Sequence, residues 1–136
     1  MPGKELVLID TSVWIQADSL KANSEVKSKV LFLLDEDRAA VCGIITAELL
    51  CGAKTPANYE ELKIDLGGIH YLNTPEDIWL KAAQMSFDLR KKGLSIPLTD
   101  ILIACIAIDN NCSLLHLDKH FTLLASKTDL KIELFK

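Results

Sequence analysis

The chain has 136 residues, a length that suits one domain able to bury a core without covalent staples. Hydrophobic residues make up 49% and charged residues 25%, which excludes a disordered chain; the net charge of −4 excludes a protein that coats nucleic acid through bulk positive charge. The longest apolar run, residues 101–108, is too short to span a bilayer, and MPGKELVLID holds no apolar run of signal-peptide length, so a single cytoplasmic domain over residues 1–136 with no membrane partner is expected.

Residues 6–9 form a short apolar run of buried-strand type, and Asp10, Thr11 and Ser12 follow as caps for a short helix. From Ser24, the apolar positions Val26, Val30, Leu33 and Leu34 recur at helical spacing, residues 39–42 read as a second strand, and residues 44–54 as the next helix. A helix over about residues 58–66 stops at Gly67-Gly68, and residues 70–72 make a third strand. Thr74-Pro75-Glu76-Asp77 reads as a helix start, with a capping Thr, Pro at the first position and acids in the first turn. Ile78, Ala82, Met85, Ser86 and Leu89 then line one face, and Arg90-Lys91-Lys92-Gly93 marks the stop. Residues 100–110 form a helix apolar nearly all round and hence central, while residues 114–117 and 131–135 are the remaining strands. Strands alternating with helices predict an α/β fold: a central, mostly parallel sheet of about five strands flanked by helices in three layers.

In such sheets ligands gather at the carboxyl ends of the strands, near a topological switch point. Asp10 and Asp118 directly follow strands. Glu48 shares a helix face with Ile44, Cys51 and Gly52, so it is expected to point toward packed structure, where a carboxylate needs a partner. Asp100 opens a helix whose inner face, Ile103, Ala104 and Ala107, is buried, which puts its carboxylate at the rim of the core. Each has a plainer role: Ser12, Thr99 and Asp100 as caps, Asp118 as the start of a turn. Several independent caps would then have to coincide at one end of one sheet, and capping and ligation are compatible. Asp10, Glu48, Asp100 and Asp118 thus form a candidate site for Mg²⁺ or Mn²⁺, hard cations that take carboxylate and water oxygens and reverse the local field. A metal-dependent nuclease is the activity that follows.

Cys42, Cys51, Cys105 and Cys112 contain no C-x-x-C pair, and three of them lie in apolar sequence, as buried free thiols do. Cys112, His116 and His120 are spaced for one helix face, but residues 113–118 read as strand and turn, which scatters them and argues against a zinc site. Lys54, Arg90, Lys91, Lys92 and Lys119 read mostly as solvated helix ends. Tyr59, Tyr71, Trp14 and Trp79 have rings that could stack on bases in principle, but the spacing of Trp79 and the place of Trp14 beside a capping turn favour core packing for both tryptophans, and no base-reading residue is assigned.

DTSVW near the N-terminus, TAELL ahead of a glycine, IPLTDILIA and LLHLDKHF, in this order and in a chain this short, resemble the PIN-domain ribonucleases, above all the VapC-type toxins of type II toxin-antitoxin pairs. The resemblance runs from Leu6 to the C-terminal strand; residues 99–104 and 118–121 are its most specific part, and residues 56–77 add little. It implies a PIN-like three-layer fold and a Mg²⁺- or Mn²⁺-dependent endoribonuclease leaving 5′-phosphate and 3′-hydroxyl ends. It also implies an RNA substrate, a homodimer, and a cognate antitoxin whose C-terminal segment occupies the acidic groove. Its acidic quartet falls on Asp10, Glu48, Asp100 and Asp118, with Ser12 and Thr99 as hydroxyls positioning water or phosphate. Asp10, Asp100 and Asp118 are then direct ligands, and Glu48 is a ligand or the holder of a bound water. Many relatives carry an acid just before the phenylalanine matching Phe121; here His120 stands there, a departure that bears on the occupancy of a second metal. His116, read as a strand residue, is more often packed than catalytic. Rival readings are a non-catalytic interaction module of the same fold, a nuclease of RNA processing, and a metal-dependent phosphatase. The last is weakened because DTS lacks the second aspartate of D-x-D, and no G-x-G-x-x-G or G-x-x-x-x-G-K-[ST] loop is present.

Overall fold

Short runs build the sheet, apolar in its centre and more polar at its edges. In the computed structural model, which describes residues 5–18 and 24–136, they are β1 (Val7–Ile9), β2 (Ala39–Cys42), β3 (His70–Leu72), β4 (Ser113–Leu115) and the shorter β5 (Lys131–Ile132). The first four residues of the N-terminal stretch weighed above as a signal run lie outside the described ones. The strand order is β3-β2-β1-β4-β5 and every pair is parallel. Central strands β2, β1 and β4 are buried at every position, as strands covered on both faces must be, while the edges β3 and β5 are partly exposed.

Parallel neighbours require crossovers. They are supplied by α1 (Thr11–Asp18) and α2 (Ser24–Asp35), α3 (Gly43–Cys51) and α4 (Pro56–Gly67), α5 (Glu76–Lys91) and α6 (Leu98–Asp109), and α7 (Lys119–Lys127). Alternation along the strands sorts the core into two layers. Val7, Ile9 and Leu115 pack with Val13, Val26, Val30 and Leu33 of α1 and α2. Leu8 and Leu114 pack with Ile45, Ile78, Ala82, the α6 residues and Phe121 and Leu124 of α7. Helix α6 is buried from Ile101 through Ala107, the central position expected of it. From β1 the chain steps outward to β2 and β3, then returns to place β4 on the other side of β1. The switch point therefore lies between the carboxyl ends of β1 and β4. Among the described residues no helix is long and apolar enough to cross a membrane.

Helix α5 buries Ile78, Ala82, Ser86 and Leu89, and Met85 Sδ receives the Cys105 thiol of α6 at 3.9 Å. It closes at Gly93, whose φ of 82° lets Leu94 N bond back to Leu89 O at 2.9 Å. A Cβ at Gly93 would meet nothing within 4 Å, so Gly93→Ala isolates the backbone cost of a left-handed residue. It is expected to lower unfolding free energy by about 1–2 kcal/mol in urea titration at unchanged slope; no loss would mean that the turn relaxes freely.

Several element ends differ from expectation. Thr74 does not cap α5: the helix starts at Glu76 after Pro75, with no side-chain cap. Helix α4 begins earlier than expected, at Pro56, because Thr55 accepts from Asn58 N at 3.0 Å. Helix α3 stops at Cys51 instead of Lys54: Gly52 caps it, its amide turned back to Leu49 O at 3.3 Å. Helix α6 starts at Leu98, so Asp100 lies within its first turn instead of opening it. β4 ends at Leu115, short of Leu117: the Leu117 and Asp118 amides turn to the side chains Ser12 Oγ (3.3 Å) and His116 Nδ1 (3.0 Å) and leave the ladder. β5 ends at Ile132, short of Phe135, although Glu133 N still reaches Leu114 O at 2.9 Å. Helix α7 was not expected at all; Asp118 starts a helix where a turn was read.

Trp14 packs as expected, its Nε1 donating to Ile9 O at 3.0 Å. Trp79 does not: it is 49% exposed, one step round the helix from Ile78 and off the buried stripe. The cysteines are free, with Cys42, Cys105 and Cys112 buried and Cys51 exposed.

Candidate active site

Asp10 leaves β1 as a buried acid at 7% exposure. Its Oδ2 accepts from Ser12 Oγ at 2.6 Å and from Ser12 N at 3.2 Å, so it caps α1. Ser12 Oγ also accepts from Leu117 N at 3.3 Å. This hydroxyl thereby ties the start of α1 to the loop after β4 and orients Asp10 between them.

Asp118 caps α7 by accepting from His120 N at 2.9 Å, and its own amide donates to His116 Nδ1 at 3.0 Å. The His116 ring leans on Phe121 at 5.3 Å between centroids. Burial lowers the His116 pKa, against the opposing charges of Asp10 and Asp118, in keeping with a neutral ring that accepts at Nδ1. Asp100 sits half-buried in the first turn of α6, where the helix dipole favours an anion. Burial pushes its carboxyl above the ordinary range; the charges of Asp118 and Asp10 push the same way, and a hydrogen bond from His120 opposes them.

The tightest cluster is not the expected quartet. Among the described residues, Asp100, Asp118 and His120 each offer a ligand atom within 4.8 Å of the other two. Asp10 and Glu48 stand outside that group. Asp10 is linked to it by the field it exerts on Asp100 and His116. Glu48 is exposed, which corrects the expectation that it faces packed structure. It lies one turn beyond the buried Ile45, where the neighbour of α3 is the start of α1, and its Oε1 accepts from Thr11 Oγ1 at 2.8 Å. Thr99 is exposed beside Asp100 and takes part in none of these hydrogen bonds.

His120 is the member that the sequence marks only as a departure from the family's acid, without placing it among the ligands. The signal was present: an N-cap aspartate with apolar residues at Phe121 and Leu124 marks a helix start and turns the second helical residue back toward the capping carboxylate. Cys112 points elsewhere, its thiol directed to Asn110 O at 3.5 Å, so the three residues spaced for a helix face are indeed scattered. Two carboxylates held close together with a ring nitrogen, one of them, Asp100, raised in proton affinity by burial and then by the charge of Asp118, are a donor set that a divalent cation fits.

The family described as PIN domain matches residues 7–127. The chain is 30% identical over 136 residues to Ribonuclease VapC11 of Mycobacterium tuberculosis, covering 96% of this chain and 100% of that protein. Ribonuclease VapC21 of the same organism is 26% identical over 111 residues, covering 79% and 80%. In space the chain superposes on VapBC2 of Rickettsia felis, solved with a fragment of promoter DNA, at a TM-score of 0.77 and 23% identity, over 94% of this chain and 97% of that one. It superposes on VapBC-1 of nontypeable Haemophilus influenzae at 0.73 and 27%, over 96% and 98%. With the sheet order, the acids at its carboxyl end, a family match over residues 7–127 and a 30% identical relative matched along its whole length, the chain belongs to the PIN-domain family, in its VapC group.

Proposed function

We propose that this chain is the toxin of a VapBC-type pair, a Mg²⁺- or Mn²⁺-dependent endoribonuclease whose acid site comprises Asp10, Glu48, Asp100 and Asp118. The observation that carries the reading is the meeting of Asp100 and Asp118 beside the buried Asp10 at the switch point of the sheet. Relatives named as ribonucleases support RNA as substrate. Structural neighbours solved as VapBC assemblies support a cognate antitoxin partner, and a homodimer is part of the same proposal. The family match over residues 7–127 supports one domain across the chain.

Asp10, Asp100 and Asp118 would hold the cation, which supplies Lewis acidity by neutralising phosphate charge and making water a stronger acid. The remaining work falls to the protein. Ser12 keeps Asp10 in one rotamer, and His116 together with the α7 cap fixes Asp118. Glu48, steadied by Thr11 at one oxygen, has its other oxygen to hold a water and take its proton. The exposure of Thr99 at the start of α6 supports a role for its hydroxyl in meeting a phosphate. Lys119, exposed beside Asp118, adds a cation at the mouth of an otherwise acidic site.

The deciding experiment is incubation of a mixed tRNA and rRNA pool with Mg²⁺, Mn²⁺ or chelator, comparing wild type with Asp10→Asn. Discrete fragments that vanish with chelator and in the variant are expected. Fragments equal in both proteins would defeat the assigned site.

A further inference from the structure

His120 presents Nδ1 to two carboxylates at once, 3.1 Å from Asp100 Oδ2 and 3.2 Å from Asp118 Oδ1. The placement is not a loose side chain's choice. The backbone N of His120 is bonded to Asp118 Oδ1 at 2.9 Å, and the next residue, Phe121, is buried and anchors the first turn of α7. Oxygen ligands of a divalent cation lie about 2.0–2.6 Å from it, so ligand atoms around one ion are separated by at most about 4–5 Å. Asp100, Asp118 and His120 meet that limit with all three atoms within 4.8 Å. An imidazole that served only to offset carboxylate charge would need one contact; this ring faces the gap between two acids that come from different helices.

Resting on the carboxylate site proposed above, we infer that His120 Nδ1 is a ligand of the cation held by Asp100 and Asp118, and that this nitrogen biases the site toward Mn²⁺ over Mg²⁺. Mg²⁺ demands oxygen ligands in near-ideal octahedral geometry and gives up water reluctantly, whereas imidazole suits transition metals. An acid at position 120 would make the site all-oxygen, a donor set that suits Mg²⁺ as well as Mn²⁺. The departure at this position therefore changes which cation the chain prefers.

Pulsed electron paramagnetic resonance of the full chain loaded with Mn²⁺ alone reads ligation directly through ¹⁴N modulation, and calorimetry gives the affinities for Mn²⁺ and Mg²⁺. Wild type and His70→Asn, a change on the edge strand β3 where that ring meets Asp37, are expected to show the modulation and His120→Asn to lose it. Mn²⁺ affinity should fall about tenfold in His120→Asn while Mg²⁺ affinity changes by less than about threefold. Mn²⁺ bound without ¹⁴N modulation in wild type, or modulation that survives in His120→Asn, would overturn the inference and leave the carboxylate site standing. The wild-type spectrum decides the first of these even if the variant misfolds. Failure of wild type to bind either ion would remove the carboxylate reading as well.

Discussion

Asp100→Asn is expected to lower RNA cleavage about 100-fold or more while leaving the cation-free protein at least as stable as wild type. The two effects share one cause. Burial, then the charges of Asp118 and Asp10, hold the Asp100 carboxyl above its ordinary value of 3.8, and His120 only partly offsets them. The folded state therefore binds this proton more tightly than the unfolded chain does. The stability linked to it is fully present below the unfolded value and is lost as pH rises through the raised folded value, so wild type carries an electrostatic cost at neutral pH. Asparagine removes that cost and can still accept from His120, but it supplies one fewer anionic oxygen to a cation. Urea unfolding in chelator across a pH series should show the variant equal to or above wild type at neutral pH, with the gap closing as pH falls toward 4. Adding Mn²⁺ should then raise the midpoint of wild type well above that of the variant. A variant less stable than wild type in chelator at neutral pH, or one equally stabilised by Mn²⁺, would count against the assigned site.

Phe121→Ala is expected to cost about 3–5 kcal/mol, a large fraction of the 5–15 kcal/mol typical of a domain. Phe121 is 1% exposed, and with Leu124 it makes up the whole buried face of α7. Its ring also backs His116, which accepts from the Asp118 amide. Loss of the ring thus loosens the helix that carries His120 and the cap that orients Asp118. Phe121→Leu keeps most of the volume and is expected to cost less than about 1.5 kcal/mol. Urea midpoints at constant slope measure both; a loss under about 1 kcal/mol for the alanine variant would show that α7 is held by something other than this ring.

What local pattern reveals and what it hides is visible in these same residues. Val7–Ile9 and Ala39–Cys42 were legible as strands because short apolar runs bounded by turn and cap residues carry their own signature, and His70–Leu72 because it follows the Gly67-Gly68 stop. Helix α6 was legible as central because residues 101–107 leave no polar face, and the regular alternation of elements led to a parallel sheet. Asp10, Asp100 and Asp118 stood out for a related reason: each falls at or beside a junction between elements, and sheets of this kind bring such junctions to one end. Resemblance to a known family then named the quartet and its chemistry.

Other features depend on neighbours far away in the chain. β4 stops at Leu115 because Ser12 Oγ takes the Leu117 amide, a contact spanning 105 residues. Trp79 is exposed because the α5 stripe is set by what packs against Ile78 and Ala82, not by the size of an adjacent side chain. Glu48 faces Thr11 and solvent because α3 outruns the core where α1 begins. Above all, the meeting of His120 with Asp100 joins residues 20 apart on two helices. Periodicity and capping are properties of a few consecutive residues and can be read from them. The distance between a ring nitrogen and two carboxylates is set by how α6 and α7 dock on one sheet, which is the sum of all the packing beneath them.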